Sequence, residues 1–155
     1  MSSSRLELTN YFKDLVAELL PVPNPKQKNY FPLGKKQLSD ATTSLLSDVS
    51  CVWVGYDVKY QDNQGQVSKL RTIGFYLLKR STETEENIQA AFSEMEALGD
   101  LFVKKLYEKS RKSRNSPPEL TIFHTININE IDISEQKVGF KLYGYYYTIP
   151  LNNRI

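Results

Sequence analysis

The side chains that most often carry chemistry are scarce in this sequence, which holds one cysteine, Cys51, and one histidine, His124. A thiolate and an imidazole brought together can act as nucleophile and base. The surroundings of both residues argue against that use. Cys51 sits in SCVWV, an apolar run that suits a strand and a buried thiol acting as a small hydrophobe. A reactive thiol wants an electropositive, partly exposed setting instead. His124 falls in the apolar parity of LTIFHTINI and reads as a half-buried strand histidine. One cysteine and one histidine cannot complete a usual zinc site. The QDNQG segment at 61–65 lacks the oxygen-ligand spacing of a calcium loop. The single cysteine allows no intrachain disulfide, which fits a reducing compartment.

Phosphate and acid–base chemistry are equally poorly served. No glycine-rich phosphate loop is present, and FPLGKKQLSD has a Gly-Lys-Lys without the upstream glycine. No G-x-S-x-G elbow presents a serine. The carboxylates Glu85 with Glu86, and Glu94 with Glu96, belong to a solvated helix side. No catalytic, cofactor-binding or metal-ligating residue is assigned, and the expectation is a protein that is not an enzyme and needs no cofactor.

Two other groups of residues point to binding. Lys109, Arg111, Lys112 and Arg114 form a basic run suited to phosphate contacts on nucleic acid. The same run also suits helix-end electrostatics followed by a solvated loop. Tyr143, Tyr145 and Tyr147 alternate along the last segment beside Lys141. Tyrosines on an edge strand give broad contact area at low entropy cost, and a protein interface ranks above base stacking there. The order of elements is wrong for an RNA-recognition sheet. A third set is Tyr56, Tyr60, Lys69 and Arg71, on a long hairpin whose charged tip is solvated or meets a partner.

The elements that must position these residues follow from periodicity. Leu8, Phe12, Leu15, Val16 and Leu19 recur at helical spacing, and Pro21 stops that helix. It is either a lid over a sheet or a helix that docks a partner. The segment 24–34 is a Pro-rich basic loop with room for a short edge strand at about 29–33. Residues 35–48 form either a short helix capped by Ser39 and Asp40 or an irregular connection.

A strand at 49–60 carries Val52, Val54, Tyr56, Val58 and Tyr60 on one face, and Cys51, Trp53 and Gly55 on the other. QDNQG turns it back into a strand at 66–79. A helix at 84–110 opens with a capping box, Thr82 with Glu85, and aligns Ile88, Ala91, Phe92, Met95, Leu98, Phe102 and Leu106. Gly99 inside it permits either close packing or a bend. A strand at 119–130 follows, then a turn at SEQK, then a last strand that Pro150 ends. The fold class is α+β. One mostly antiparallel sheet of about four strands packs both helices on one face, in the order α-β-β-α-β-β.

At 155 residues with 25% charged and 40% hydrophobic composition, this is one ordinary globular domain over 1–155. A net charge of +2 indicates no whole-molecule attraction to nucleic acid or anionic lipid. No signal peptide and no apolar run long enough for a membrane span is present.

The order of elements resembles that of tail-terminator, neck and tail-completion proteins of tailed bacteriophages and phage-like particles. The local match is IGFYLLKRSTETEENIQAAFSEMEALGDLFVKKL, a strand leading through an acidic linker into an amphipathic helix. KVGFKLYGYYYTIPLNN resembles their closing strand. The resemblance implies a non-enzymatic ring subunit at a head–tail junction or tail end, a homo-oligomer of hexameric type that meets other particle proteins. It places the chain in the virion or the cytoplasm of a bacterial host. The hairpin is expected to supply one interface and the tyrosine strand the other. The alternative is a small protein-binding adaptor or chaperone, or a nucleic-acid-binding module using the 109–114 run.

Overall fold

The computed structural model describes residues 5–32, 34, 46–113, 123, 125–139 and 141–154, with the backbone alone for Leu46, Ser47, Tyr56, Asn63, Ser113, Asn153 and Arg154. Its first element is helix α1 (Arg5–Leu19), which buries the expected stripe Leu8, Phe12, Leu15 and Val16. Strand β1 (Lys28–Phe31) then pairs in parallel with β2 (Leu46–Asn63), so the sheet is mixed. The short helix considered at 35–48 falls almost wholly outside the described residues.

Strands β2 and β3 (Gln66–Arg80) form a long antiparallel hairpin. Its two-residue loop is Gln64-Gly65, with φ of 56° and 84°. Two left-handed residues match the twist of the flanking strands, which is why a glycine stands there. Asp62 Oδ1 accepts a 2.9 Å hydrogen bond from the Gly65 amide.

The expected split of β2 into two faces is corrected by a bulge. Trp53 pairs with Phe75, but Gly55 already pairs with Gly74. The extra residue is accommodated at Gly55, whose φ is 118°. Beyond it the parity flips. Val58 pairs with Arg71 and Tyr60 with Lys69, and residues 69, 71, 73 and 75 share one face. Val58 and Tyr60 therefore continue the face of Trp53 rather than opposing it.

Helix α2 (Glu85–Ser113) follows β3. Its cap is Thr84, not Thr82: Thr84 Oγ1 accepts from the Asn87 amide at 3.4 Å, and the Thr84 carbonyl accepts from Ile88 at 3.0 Å. Thr82 instead takes the Asn87 side-chain amide. The chain returns through β4 (Thr125–Ile126), a 3-10 turn (Ile128–Glu130), β5 (Asp132–Val138) and β6 (Leu142–Arg154). The sheet order is β1-β2-β3-β6, with β4 and β5 in tandem along the far side of β6.

Three expectations at this end are corrected. The strand at 119–130 is, among the described residues, only Thr125–Ile126, and Ile128 turns outward in the 3-10 segment. The SEQK segment is not a turn but the middle of β5, where Ser134 pairs with Tyr146 and Glu135 with Tyr145. An edge strand holds its backbone by pairing while its side chains stay solvated, so a polar run is tolerated there. Pro150 does not end β6, which continues to Arg154. The Pro150 carbonyl accepts from Asn127 at 3.2 Å on the β4/β5 side. In an antiparallel ladder a residue's N–H points the same way as its C=O. The missing N–H therefore faces the gap between β5 and β4, and no bond to β3 is lost.

Both helices cover one face of the sheet, where Cys51, Trp53, Phe75, Leu77, Tyr147, Ile149 and Leu151 are buried. Phe12 of α1 is central: its ring lies 4.6 Å from Trp53, 4.9 Å from Phe75 and 5.7 Å from Phe102 of α2. Burying one such aromatic contributes roughly 2–3 kcal/mol. Lys105 of α2 pairs with Glu18 of α1 at 2.9 Å, an exposed bridge that adds little to this packing. The opposite face is not simply polar: Phe31, Val52, Leu78 and Leu142 form a second buried cluster there.

Candidate interaction surfaces

The tyrosine strand, expected as an edge, is interior. β6 runs between β3 and the β4/β5 pair. Tyr143 and Tyr147 are buried and Tyr145 is half-buried. Phe92 of α2 meets Tyr143 and Tyr145 edge-on at 6.0 and 5.6 Å, and Tyr147 stacks on Phe75 at 5.2 Å. The Lys137 ammonium lies 5.5 Å from the Tyr143 ring. These tyrosines spend their apolar area inside the chain and offer little to a partner. The physical reason is β5, which takes the edge of β6 that the sequence reading left open.

Burial pushes up the phenol pKa of Tyr147, of Tyr30 and of Tyr11, the last to about 12. The fold favours the neutral phenol, so each folded pKa lies above the ordinary value of 10.0. Their contribution is intact below pH 10 and is lost as pH rises through the folded values. Absorbance at 295 nm should therefore rise in two phases, the later one coinciding with loss of the far-ultraviolet dichroism. A single phase with the dichroism intact would contradict this burial.

Arg71 is likewise corrected. It lies not near a solvated tip but inside the sheet, opposite Val58 and Leu151, and is 1% exposed. The residue interacts within the chain. Lys69 is half-buried beside Tyr60, which is 67% exposed. The side chain of Tyr56 lies outside the described residues. What projects is the outer part of the hairpin. β1 pairs with β2 only as far as Val52, so among the described residues the outer edge of β2 is open from Trp53 to Asn63. Val58, Tyr60 and Val67 are all exposed there, on this arm.

The 109–114 run is not a connector at its start. Lys109, Arg111 and Lys112 stand in the last turns of α2, where cations complement the helix dipole. The Lys109 ammonium lies 5.7 Å from the Tyr11 ring of α1, which takes it toward the core side. Arg111 and Lys112 are exposed. Arg114 and His124 lie outside the described residues. Cys51 is fully buried, and desolvation pushes its thiol pKa well up, which disfavours the thiolate. Lys79 holds Asp48 at 3.0 Å and Glu94 at 2.9 Å. Partial burial alone would lower its pKa, but those hydrogen bonds outweigh it and hold the ammonium above its usual value. Among the described residues no group of His, Cys, Asp and Glu is placed to hold a metal.

Two grooves escaped the sequence reading. One, of about 430 Å³, runs between α2 and the β5 edge and is lined by Val103, Tyr107, Ile128, Ile131 and Ile133. The other, of about 520 Å³, lies between α1 and β1, with Arg5, Lys13 and Lys28 around Tyr30 and Trp53. Each joins residues far apart in the chain, so no local spacing announces it. The one local signal is the basic character of the 24–34 loop. No described helix is long and apolar enough to cross a membrane. Comparison of the chain with protein-family models, curated proteins and solved structures finds no match.

Proposed function

We propose that the chain is a non-enzymatic structural subunit that assembles into a closed ring at the head–tail junction or tail end of a phage or phage-like particle. The observation that carries this reading is the β2–β3 arm. An open sheet edge flanked by exposed apolar side chains is a template for pairing, and natural proteins cover or blunt such edges. Here, among the described residues, that edge is unpaired from Trp53 to Asn63, with Val58 and Tyr60 exposed beside it. A neighbouring subunit is the cover that the reading supplies. The order of helix, hairpin, helix and closing strands, on which the resemblance to tail-terminator and neck proteins rests, supports it. The hairpin remains an interface element, whereas the tyrosine strand is replaced in that role by the sheet edges.

The test is Tyr60→Asp. Tyr60 is 67% exposed within β2, so the substitution should cost only the strand-propensity difference, about 1 kcal/mol. Mass photometry should show the wild-type assembly shifted toward the 17.9 kDa subunit. An unchanged assembly mass with intact dichroism would remove the arm from the interface.

A further inference from the structure

We infer that the open edge of β2 pairs antiparallel with the same edge of a second copy of this chain, about a two-fold axis at Val58. The inference rests on the arm of the assembly reading and deepens it by naming the partner and the register. Among the described residues the edge is unpaired from Trp53 to Asn63, so Val58 is its midpoint. Self-pairing centred there uses the whole edge, whereas any other centre leaves part of each strand uncovered. Backbone direction agrees. In an antiparallel ladder the N–H and C=O of one residue point the same way, and alternate residues point to opposite sides. The Gln64-Gly65 turn closes on Asn63 and Gln66, whose groups face each other across the hairpin. Counting back by twos from Asn63, Gln61, Lys59 and Asp57 face β3. Val58 and Tyr60 then turn their backbone groups to the open edge, and Val58 can exchange both bonds with the partner's Val58.

Charge selects the occupant and the register. With the two copies of Val58 opposed, Asp57 stands opposite the partner's Lys59, and Lys59 opposite the partner's Asp57. Both are exposed, and among the described residues neither forms an ion pair in its own chain. They share one face, and their β3 neighbours Thr72 and Leu70 are uncharged. Gly55 and Gln61, the next positions on that face, are uncharged too, so the two opposite-charge pairs meet no third charge. Moving the centre by one residue sets Asp57 against Asp57 or Lys59 against Lys59, and like charges directly opposite destabilise. On the other face the contact covers Val58 and Tyr60, which are 41% and 67% exposed. A contact in which each side offers the same patch is isologous and closes on a pair. In a ring assembly it joins one ring to a second, and the head-to-tail contact lies elsewhere.

Cross-linking and charge swapping test this. In the inferred register the two copies of residue 58 lie about 5.5 Å apart at Cα. A short bismaleimide should therefore join Val58→Cys into a species of twice 17.9 kDa. The two copies of residue 61 lie roughly 20 Å apart, so Gln61→Cys should not cross-link. Cys51 is fully buried and stays silent in both. Asp57→Lys and Lys59→Asp should each weaken association about tenfold. Equimolar mixing of the two, and the double variant alone, should restore it, which separates pairing from any loss of folding. If Gln61→Cys cross-links as readily as Val58→Cys, the register is wrong and the inference is overturned. If Tyr60→Asp dissociates the wild-type assembly but Val58→Cys gives no doubled mass and neither mixing nor the double variant rescues, the arm meets another surface. The inference then fails and the ring reading stands. If Val58→Cys cross-links and the wild type never exceeds a pair, the inference holds and the ring reading fails. A wild type that stays monomeric at every attainable concentration overturns both.

Discussion

Gly144→Ala should leave little folded protein. Gly144 sits in β6, paired with Leu78 of β3 on one side and Gln136 of β5 on the other. A Cβ there would lie 1.8 Å from the Leu77 carbonyl oxygen and 2.8 Å from its carbon, where ordinary contact begins near 3.4 Å. The obstructing atoms are backbone, so no rotamer change relieves them. Leu77 and Leu78 are fully buried on opposite faces, and β3 is clamped between β2 and β6. The strands must part at the centre of the sheet. The cost should be at the top of the overpacking range, about 3 kcal/mol or more. A domain has only about 5–15 kcal/mol in total. Urea denaturation and soluble yield check this, and a midpoint equal to wild type would mean that the β3–β6 approach is wider than described.

Gly99→Ala sets two effects of opposite sign against each other. In an exposed helix interior the change would stabilise by about 1 kcal/mol. Here the added Cβ would lie 1.8 Å from the Tyr147 hydroxyl oxygen and 2.2 Å from the ring carbon bearing it. That ring cannot swing aside: it is 1% exposed and stacked on Phe75 at 9° between planes. Its hydroxyl donates to the Met95 carbonyl at 3.4 Å. The clash should cost about 3 kcal/mol and win, for a net loss of about 2 kcal/mol. In a Tyr147→Leu background the obstruction is gone, and Gly99→Ala should become neutral or stabilising. The sign change, read by urea titration of the four proteins, is the diagnostic. A stabilising Gly99→Ala in the wild-type background would contradict the packing of β6 under α2. Of close packing or a bend, the two roles open to Gly99, the structure supports close packing.

Helix stripes were legible because helical period survives any tertiary context. Leu8, Phe12, Leu15 and Val16 are buried together, as are Ala91, Met95, Phe102 and Leu106. The Gln64-Gly65 turn was legible because its chemistry is local. Strand faces were harder. One bulge at Gly55 reversed the parity of everything toward the tip, and a glycine inside a strand pattern was its only signal. The polar β5 carried no alternation, and missing it turned β6 from an interior strand into an apparent edge. That single omission put Tyr143 and Tyr147 at an interface rather than in the core. Arg71 was misplaced for a related reason: charge alone placed it in solvent, while its register with Leu151 places it in the sheet. The two grooves depend on which distant segments meet, as with Lys13 and Lys28, and no spacing encodes that.

The most direct measurement is the mass of the wild-type chain in solution across a concentration series, by sedimentation equilibrium. The assembly reading predicts a discrete closed multiple of 17.9 kDa that persists on dilution and then dissociates without larger intermediates. A single 17.9 kDa species at every concentration would contradict it.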